Sequence, residues 1–148
     1  MRDIRRPDST EAIVERLTDA KLTDVGDPVF KTIMELLIFA AGVGFAVGRR
    51  TAVPLSGKAV PFRIFQNNQK DGYIFLLALA ELKTAECLAS DDDKVAEIFE
   101  EYAATGLEEI GDWLNDNPTD ISGVQTLIAR IQSRIETQPV VVNDPDPL

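Results

Sequence analysis

Read from the amino end, the apolar positions first gather into a one-sided stripe at Ala12, Ile13, Leu17 and Ala20. That spacing predicts a short helix, with Pro7 stopping the arm before it and Asp8 to Thr10 offering capping oxygens. A second helix is predicted to start at Asp27 and Pro28, an N-cap followed by proline at the first helical position, and to run to about Val47. Between Thr51 and Gln69 the pattern breaks. Two prolines, a Ser-Gly turn and an Asn-Asn pair exclude a long helix, and the halves TAVPL and VPFRIF each suit a short extended segment. Paired with one another, they would make a small ribbon.

Helical periodicity then resumes. DGYIFLLALAELKTAECLAS predicts a third helix almost as apolar as the second. In the fourth, Val95, Ile98, Phe99, Tyr102, Ala103, Leu107, Ile110 and Leu114 recur at threes and fours, and Asp91 to Asp93 sit at its positive end. Pro118 and Asp120 seed a fifth, with a stripe of Val124, Leu127, Ile128, Ile131 and Ile135. The expected fold is therefore all-α: a single-domain bundle of about five helices over residues 1–138, the second and third at its centre, with a short β-ribbon in the 51–69 connection. Residues 139–148, rich in proline, are expected to be an extended or disordered tail.

One stretch, FAAGVGFAVGRR from Phe39 to Arg50, decides how the second helix is used. A dinucleotide loop needs G-x-G-x-x-G between a strand and a helix, but Val47 stands where the third glycine belongs. The uninterrupted apolar run, LLIFAAGVGFAV, is 12 residues long, and a membrane span needs about 20. What remains is a buried helix on which Ala40, Gly44 and Gly48 make a narrow face without side chains, so that another backbone can come close. The natural partner is the third helix, through Ala78, Ala85 and Ala89; a homodimer seam is the second reading. Gly48, Arg49 and Arg50 suit a helix end, with cations near the negative pole of the dipole.

Composition narrows the chemistry. The 148-residue chain has no histidine, which removes the commonest general base and metal ligand, and its one cysteine, Cys87, lies in an apolar stretch. Asp91 to Asp93 do not match a calcium loop, because Ala96 stands where its glycine is required. No cofactor, no metal and no enzyme activity are expected. With no apolar leader and a lone cysteine, a cytoplasmic location is expected. The net charge of -10 is unevenly spread: residues 1–70 carry 11 Lys and Arg against 8 Asp and Glu, residues 71–148 only 4 against 17.

Taken in order, RDIRRP, FAAGVGFAVGRR, VPL, PFRIFQNN, LLALAE and IFEEYAATGLEEIGDWL resemble the DNA phosphorothioation-associated protein 4 family. The likeness runs from Arg2 to about Leu114; the fifth helix and tail carry nothing matched. These are small proteins associated with Dnd-type loci, which replace a phosphate oxygen of DNA with sulphur and in some cases restrict unmarked, invading DNA. The resemblance implies a setting rather than a reaction: an accessory part whose partners are other proteins of the locus.

Three uses of the surface follow. An adaptor would present Phe62, Arg63, Phe65, Gln66 and Asn67, flanked by Arg49 and Arg50, as an interface of aromatic, guanidinium and amide groups. The competing reading of Phe62 and Phe65 is that they plug the core beneath the loop. A DNA-binding regulator would gather Arg2, Arg5, Arg6, Lys58 and Lys70 with Arg49, Arg50 and Arg63 on one face. An acidic DNA mimic would expose Glu100, Glu101, Glu108 and Glu109 toward a partner's DNA channel.

Overall fold

A computed structural model describes residues 1–19, 27–86 and 92–137. Ala20, Cys87, Ala89, Asp91 and the 139–148 tail lie outside the described residues. In chain order the elements are strand β1 (Ile4–Arg6), a 3-10 turn (Asp8–Thr10), α1 (Glu11–Thr18), α2 (Ile33–Val47), β2 (Lys58–Val60), α3 (Phe62–Asn67), α4 (Asp71–Leu82), α5 (Asp92–Asp116) and α6 (Val124–Thr137). They form a mostly helical small domain with one two-stranded antiparallel sheet.

The second helix starts later than Pro28. Thr32 is its N-cap, with an extended backbone and a side chain that accepts the Glu35 N–H at 3.1 Å. Thr-x-x-Glu is the capping-box order, and it outcompetes the Asp-Pro signal five residues upstream. The residues so released tie α1 to α2: Phe30 N–H donates to Leu17 O at 3.0 Å, and the Phe30 ring lies 5.4 Å from that of Phe39. The helix ends as its sequence indicates, at Gly48 with a φ of 80°.

The partner of its small face is α5, not α4. A Cβ built on Gly44 would overlap the carbonyl oxygen of Tyr102, and one built on Gly106 would overlap that of Ala40. As numbers rise along α2 from 40 to 44 they fall along α5 from 106 to 102, so the helices run antiparallel with main chain against main chain. Gly48 takes no part in this seam; a Cβ there would meet nothing within 4 Å. All eight stripe residues of α5 from Val95 to Leu114 are buried, which makes α2 and α5 the centre of the molecule. The α4 helix contributes Ile74 and Ala78 and stops at Lys83, whose φ is 55°.

The 51–69 connection does form a ribbon, but its other strand comes from the amino end. β2 pairs antiparallel with β1, placing Ile4 opposite Val60 and Arg6 opposite Lys58. The segment after it, expected as extended, is the helix α3. Pro61 stands at its N-cap, and an i, i+3 spacing lets Phe62 and Phe65 turn inward together. Phe65 is fully buried, edge-on to Phe99 at 5.8 Å, and Phe62 meets Phe75 at 6.3 Å.

Both flanking stripes are shifted from expectation. In α1 it is Val14 that is buried with Leu17, while Ala12 is exposed. The α6 helix is seeded by Asp120 as expected: its carboxylate accepts the Thr126 N–H and hydroxyl, each at 2.7 Å. Of its stripe, however, only Leu127 is buried. Ile128, Ile131 and Ile135 are 43%, 42% and 68% exposed.

Candidate functional site

Five of the residues expected in a basic patch, Arg2, Arg6, Arg49, Arg50 and Lys58, face carboxylates of the same chain. Arg2 makes a two-pronged pair with Glu100, at 2.9 and 2.7 Å, and the Arg5 N–H donates to the same carboxylate at 2.9 Å. Arg6 is buried in β1, its guanidinium donating to Glu11 at 2.6 Å and to Thr10 Oγ1 at 3.2 Å. Lys58, opposite it in the ribbon, also reaches Glu11, at 2.9 Å. Those two donors, Lys58 first, pull the Glu11 carboxyl down to about 2. Lys70 lies over the Tyr73 ring, 5.9 Å from its centroid.

Arg49 and Arg50 follow α2 into a segment that runs along α5. Thr51 N–H donates to Glu101 O at 3.1 Å, and its hydroxyl meets that of Thr105 at 2.7 Å. Arg50 accordingly pairs with Glu101 at 2.7 Å, with Glu81 and Glu97 further off at 3.6 and 3.9 Å, and lies over the Tyr102 ring. The Tyr102 hydroxyl donates to Glu81 at 2.5 Å. Burial, reinforced by that carboxylate, pushes the phenol up to about 12. Arg49 is more open and lies 3.7 Å from Glu108.

The four glutamates expected as an acidic face are therefore split. Glu100 is 3% exposed beneath Arg2, and the Glu101 side chain is largely covered by Arg50. Glu108 is exposed and Glu109 half-buried. Of the adaptor set, Phe62 and Phe65 are interior, whereas Arg63, Gln66 and Asn67 lie exposed on α3. Arg63 and Gln66 border a shallow depression with Met1 and Asp3. Among the described residues no group of three or more His, Cys, Asp and Glu is placed to hold a metal ion.

A different feature is an apolar concavity on the α2 side of the molecule. Between α2 and the outer half of α6 runs an open groove of about 640 Å³. Its α2 wall is Ile38, Phe39, Gly42, Val43, Ala46 and Val47, and its α6 wall is Ile131 and Ile135 with Arg130, Ser133 and Arg134. Trp113 and Glu109 of α5 and Tyr73 of α4 complete the lining. Arg130 stacks over Trp113 at 5.9 Å and lies 3.4 Å from Asp116, while Arg134 donates to Ala46 O at 3.1 Å. At the start of α6 Thr126 and Leu127 are buried, whereas every residue from Ile128 to Ile135 is exposed.

A sequence profile described as DNA sulphur modification system-associated protein 4 matches residues 3–141. The chain belongs to this family. Membership in the DNA sulphur modification system-associated protein 4 family associates it with such a system. No curated protein and no solved structure matches the chain. No helix among the described residues is long and apolar enough to cross a membrane. The family match extends past Leu114, where the sequence blocks stopped, and takes in α6 and with it the second wall of the groove. Gly42, Ala46, Trp113, Arg130 and Arg134 are groove residues that sequence reasoning did not single out as a site, and Ile131 and Ile135 were read only as part of the apolar stripe of the fifth helix. The available signal was Gly42, the one glycine of the α2 trio that falls off the Ala40–Gly44–Gly48 face.

Proposed function

We propose that this protein is a non-enzymatic accessory component of a DNA phosphorothioation system, or of the restriction of invading DNA linked to it, and that it acts in the cytoplasm by binding another protein of the locus. The observation that carries the reading is the α2–α6 groove: an apolar trough of about 640 Å³ with Ile131 and Ile135 left 42% and 68% exposed on one wall. Exposed apolar concavities of this kind mark interaction sites rather than ordinary surface. A sequence without histidine favours a binding role over acid–base chemistry.

The arrangement of charge favours protein over DNA as the ligand. Direct DNA binding needs cations available to phosphate, yet Arg2, Arg6, Arg49, Arg50 and Lys58 each face a carboxylate of the same chain. The DNA-mimic reading needs a row of exposed carboxylates, and Glu100 and Glu101 are engaged internally. The test is recovery of the tagged protein from its own cells, with and without nuclease. Locus proteins that remain bound after nuclease support the reading; recovery that disappears with the DNA refutes it.

A further inference from the structure

We propose that the α2–α6 groove receives an amphipathic helix of a second protein, one with large apolar side chains along its buried ridge and carboxylates on its flank. The proposal rests on the protein-binding reading above and names the surface and the chemistry of the partner.

The internal packing of α2 leaves Gly42 unexplained. Gly44 is required because Tyr102 main chain lies against it, but a Cβ at Gly42 would meet nothing within 4 Å. A glycine in mid-helix weakens the helix relative to alanine, so its position calls for a use outside the free protein. Ala46, one turn on, adds only a methyl group and is also exposed. Together they leave a trough between Ile38 and Val47 in which side chains from elsewhere can lie. Nine residue steps of helix make that wall roughly 13–14 Å long, the length of a ridge of two to three turns.

Both walls are helices, whose backbone hydrogen bonds are made internally. An extended peptide would find no strand edge to pair with, whereas a helix needs only apolar anchors at i, i+3, i+4 and i+7. Ile131 and Ile135 on one side and Val43 and Val47 on the other supply such contacts, with Trp113 in the lining between them. Aromatic anchors of this type dominate interface energetics.

Charge selects among possible occupants. The net charge of the whole chain is -10, yet the charged residues of the α6 wall are Arg130 and Arg134, which stay exposed although Arg130 lies 3.4 Å from Asp116 and Arg134 donates to Ala46 O, with Glu109 of α5 the acid in the lining. A second copy offering its own α6 would set guanidinium beside guanidinium. A helix flanked by Asp or Glu sets carboxylate beside guanidinium, the better match in both attraction and encounter rate.

The test uses the full-length chain and the other proteins of the phosphorothioation locus, purified singly, as probes. Each is titrated against the wild type, Gly42→Leu, Ile131→Glu, the Arg130→Glu/Arg134→Glu double variant, and Leu55→Glu as a control away from the groove. The Gly42→Leu side chain fills the trough without touching the α2–α5 seam, and Ile131→Glu alters an exposed position, so either alone keeps the test decisive if the other misfolds. The expected result is one locus protein that binds the wild type and Leu55→Glu alike. Its affinity should fall tenfold or more with Gly42→Leu and Ile131→Glu, and about fivefold with the double charge reversal. Tiled peptides of that protein should place the binding in an acidic amphipathic helix. Equal binding by all variants overturns the groove while leaving the protein-binding reading intact. No binding by the wild type to any locus protein overturns both. A wild-type dimer in sedimentation that Gly42→Leu abolishes would assign the groove to a second copy, and a basic or extended segment in the peptide scan would refute the helix.

Discussion

Two glycines of α2, two residues apart, should respond in opposite directions to the same substitution. Gly42→Ala places a methyl group where nothing lies within 4 Å, and alanine is favoured over glycine in a helix interior by roughly 0.8–1.0 kcal/mol. Gly44→Ala gains the same propensity but sets its Cβ 2.7 Å from the carbonyl carbon and 3.1 Å from the Cα of Tyr102, with the carbonyl oxygen nearer still. Carbon atoms in contact rest about 3.5–4.0 Å apart, so the helices must part by roughly 1 Å at this point. Overpacking costs typically about 1–3 kcal/mol, and because the obstacle is main chain rather than a movable side chain the upper end applies. The net loss for Gly44→Ala is then about 2 kcal/mol. For a chain of this size 1 kcal/mol moves Tm by roughly 2–4 °C. Thermal unfolding followed by far-ultraviolet circular dichroism should therefore rise by about 2–4 °C for Gly42→Ala and fall by about 4–8 °C for Gly44→Ala. Gly106→Ala, whose Cβ would overlap Ala40 main chain, should behave like Gly44→Ala, and the double variant should cost less than the sum because one separation relieves both clashes. A Gly44→Ala protein as stable as Gly42→Ala would refute the close antiparallel seam.

Three further outcomes follow from the charged groups. In a Tyr73→Phe background Tyr102 is the remaining tyrosine, and its phenolate absorbance should titrate near 12, lower when Glu81→Gln removes the carboxylate it donates to. Because the folded value lies above the ordinary 10, the stability tied to this proton is whole below pH 10 and is lost as pH rises through about 12. Glu11 carries the opposite sign: its pull down to about 2 by Lys58 and Arg6 contributes stability above pH 4.5 that disappears as pH falls toward 2. Urea titrations across that window should be flatter for Glu11→Gln, and an unchanged slope would exclude the Arg6–Glu11–Lys58 cluster as an acid-sensitive clasp. Arg2→Ala strips Glu100 of two of its three donors. Breaking a buried pair costs about 3–5 kcal/mol, and partial exposure of Arg2 should reduce this to roughly 2–3. A double cycle with Glu100→Gln should show a coupling of at least about 1 kcal/mol, and simple additivity would mean that the pair contributes nothing.

How much of this was legible depended on the range of the signal. Every apolar position read in the fourth predicted helix is buried in α5, because a 25-residue helix with an unbroken period of three to four has only one way to face a core. The end of α2 at Gly48 was equally local. Its start was not: Asp27-Pro28 and Thr32-x-x-Glu35 are both valid start signals, and only the contact of Phe30 with the end of α1 shows why the chain stays irregular between them. Strand pairing was harder still. The strand is Lys58–Val60, between the two halves expected to be extended, and its partner lies more than fifty residues upstream, where RDIRRP carries charges that read as surface. Arg6 is buried there because Glu11, Thr10 and Lys58 converge on it, a closure that no local pattern displays.

The small residues and the last helix show the same limit from the other side. Ala40 and Gly44 correctly announced that another backbone comes close, but periodicity gives the face and not the neighbour, and α5 offers Gly106 where α4 offers alanines. Likewise the stripe from Val124 to Ile135 states that α6 is covered along one side without stating by what. Its first turn is covered by this chain, through Leu127. Past Ile128 the same stripe faces a trough whose opposite wall has been narrowed to Gly42 and Ala46, and whose charged edge is basic in an acidic protein. A helix that kept its apolar period only for internal packing would have no reason to continue it through Ile131 and Ile135 into solvent, nor would α2 need a glycine opposite them. The continuation of one and the thinning of the other are accounted for together if the missing side of α6 is supplied by a second protein.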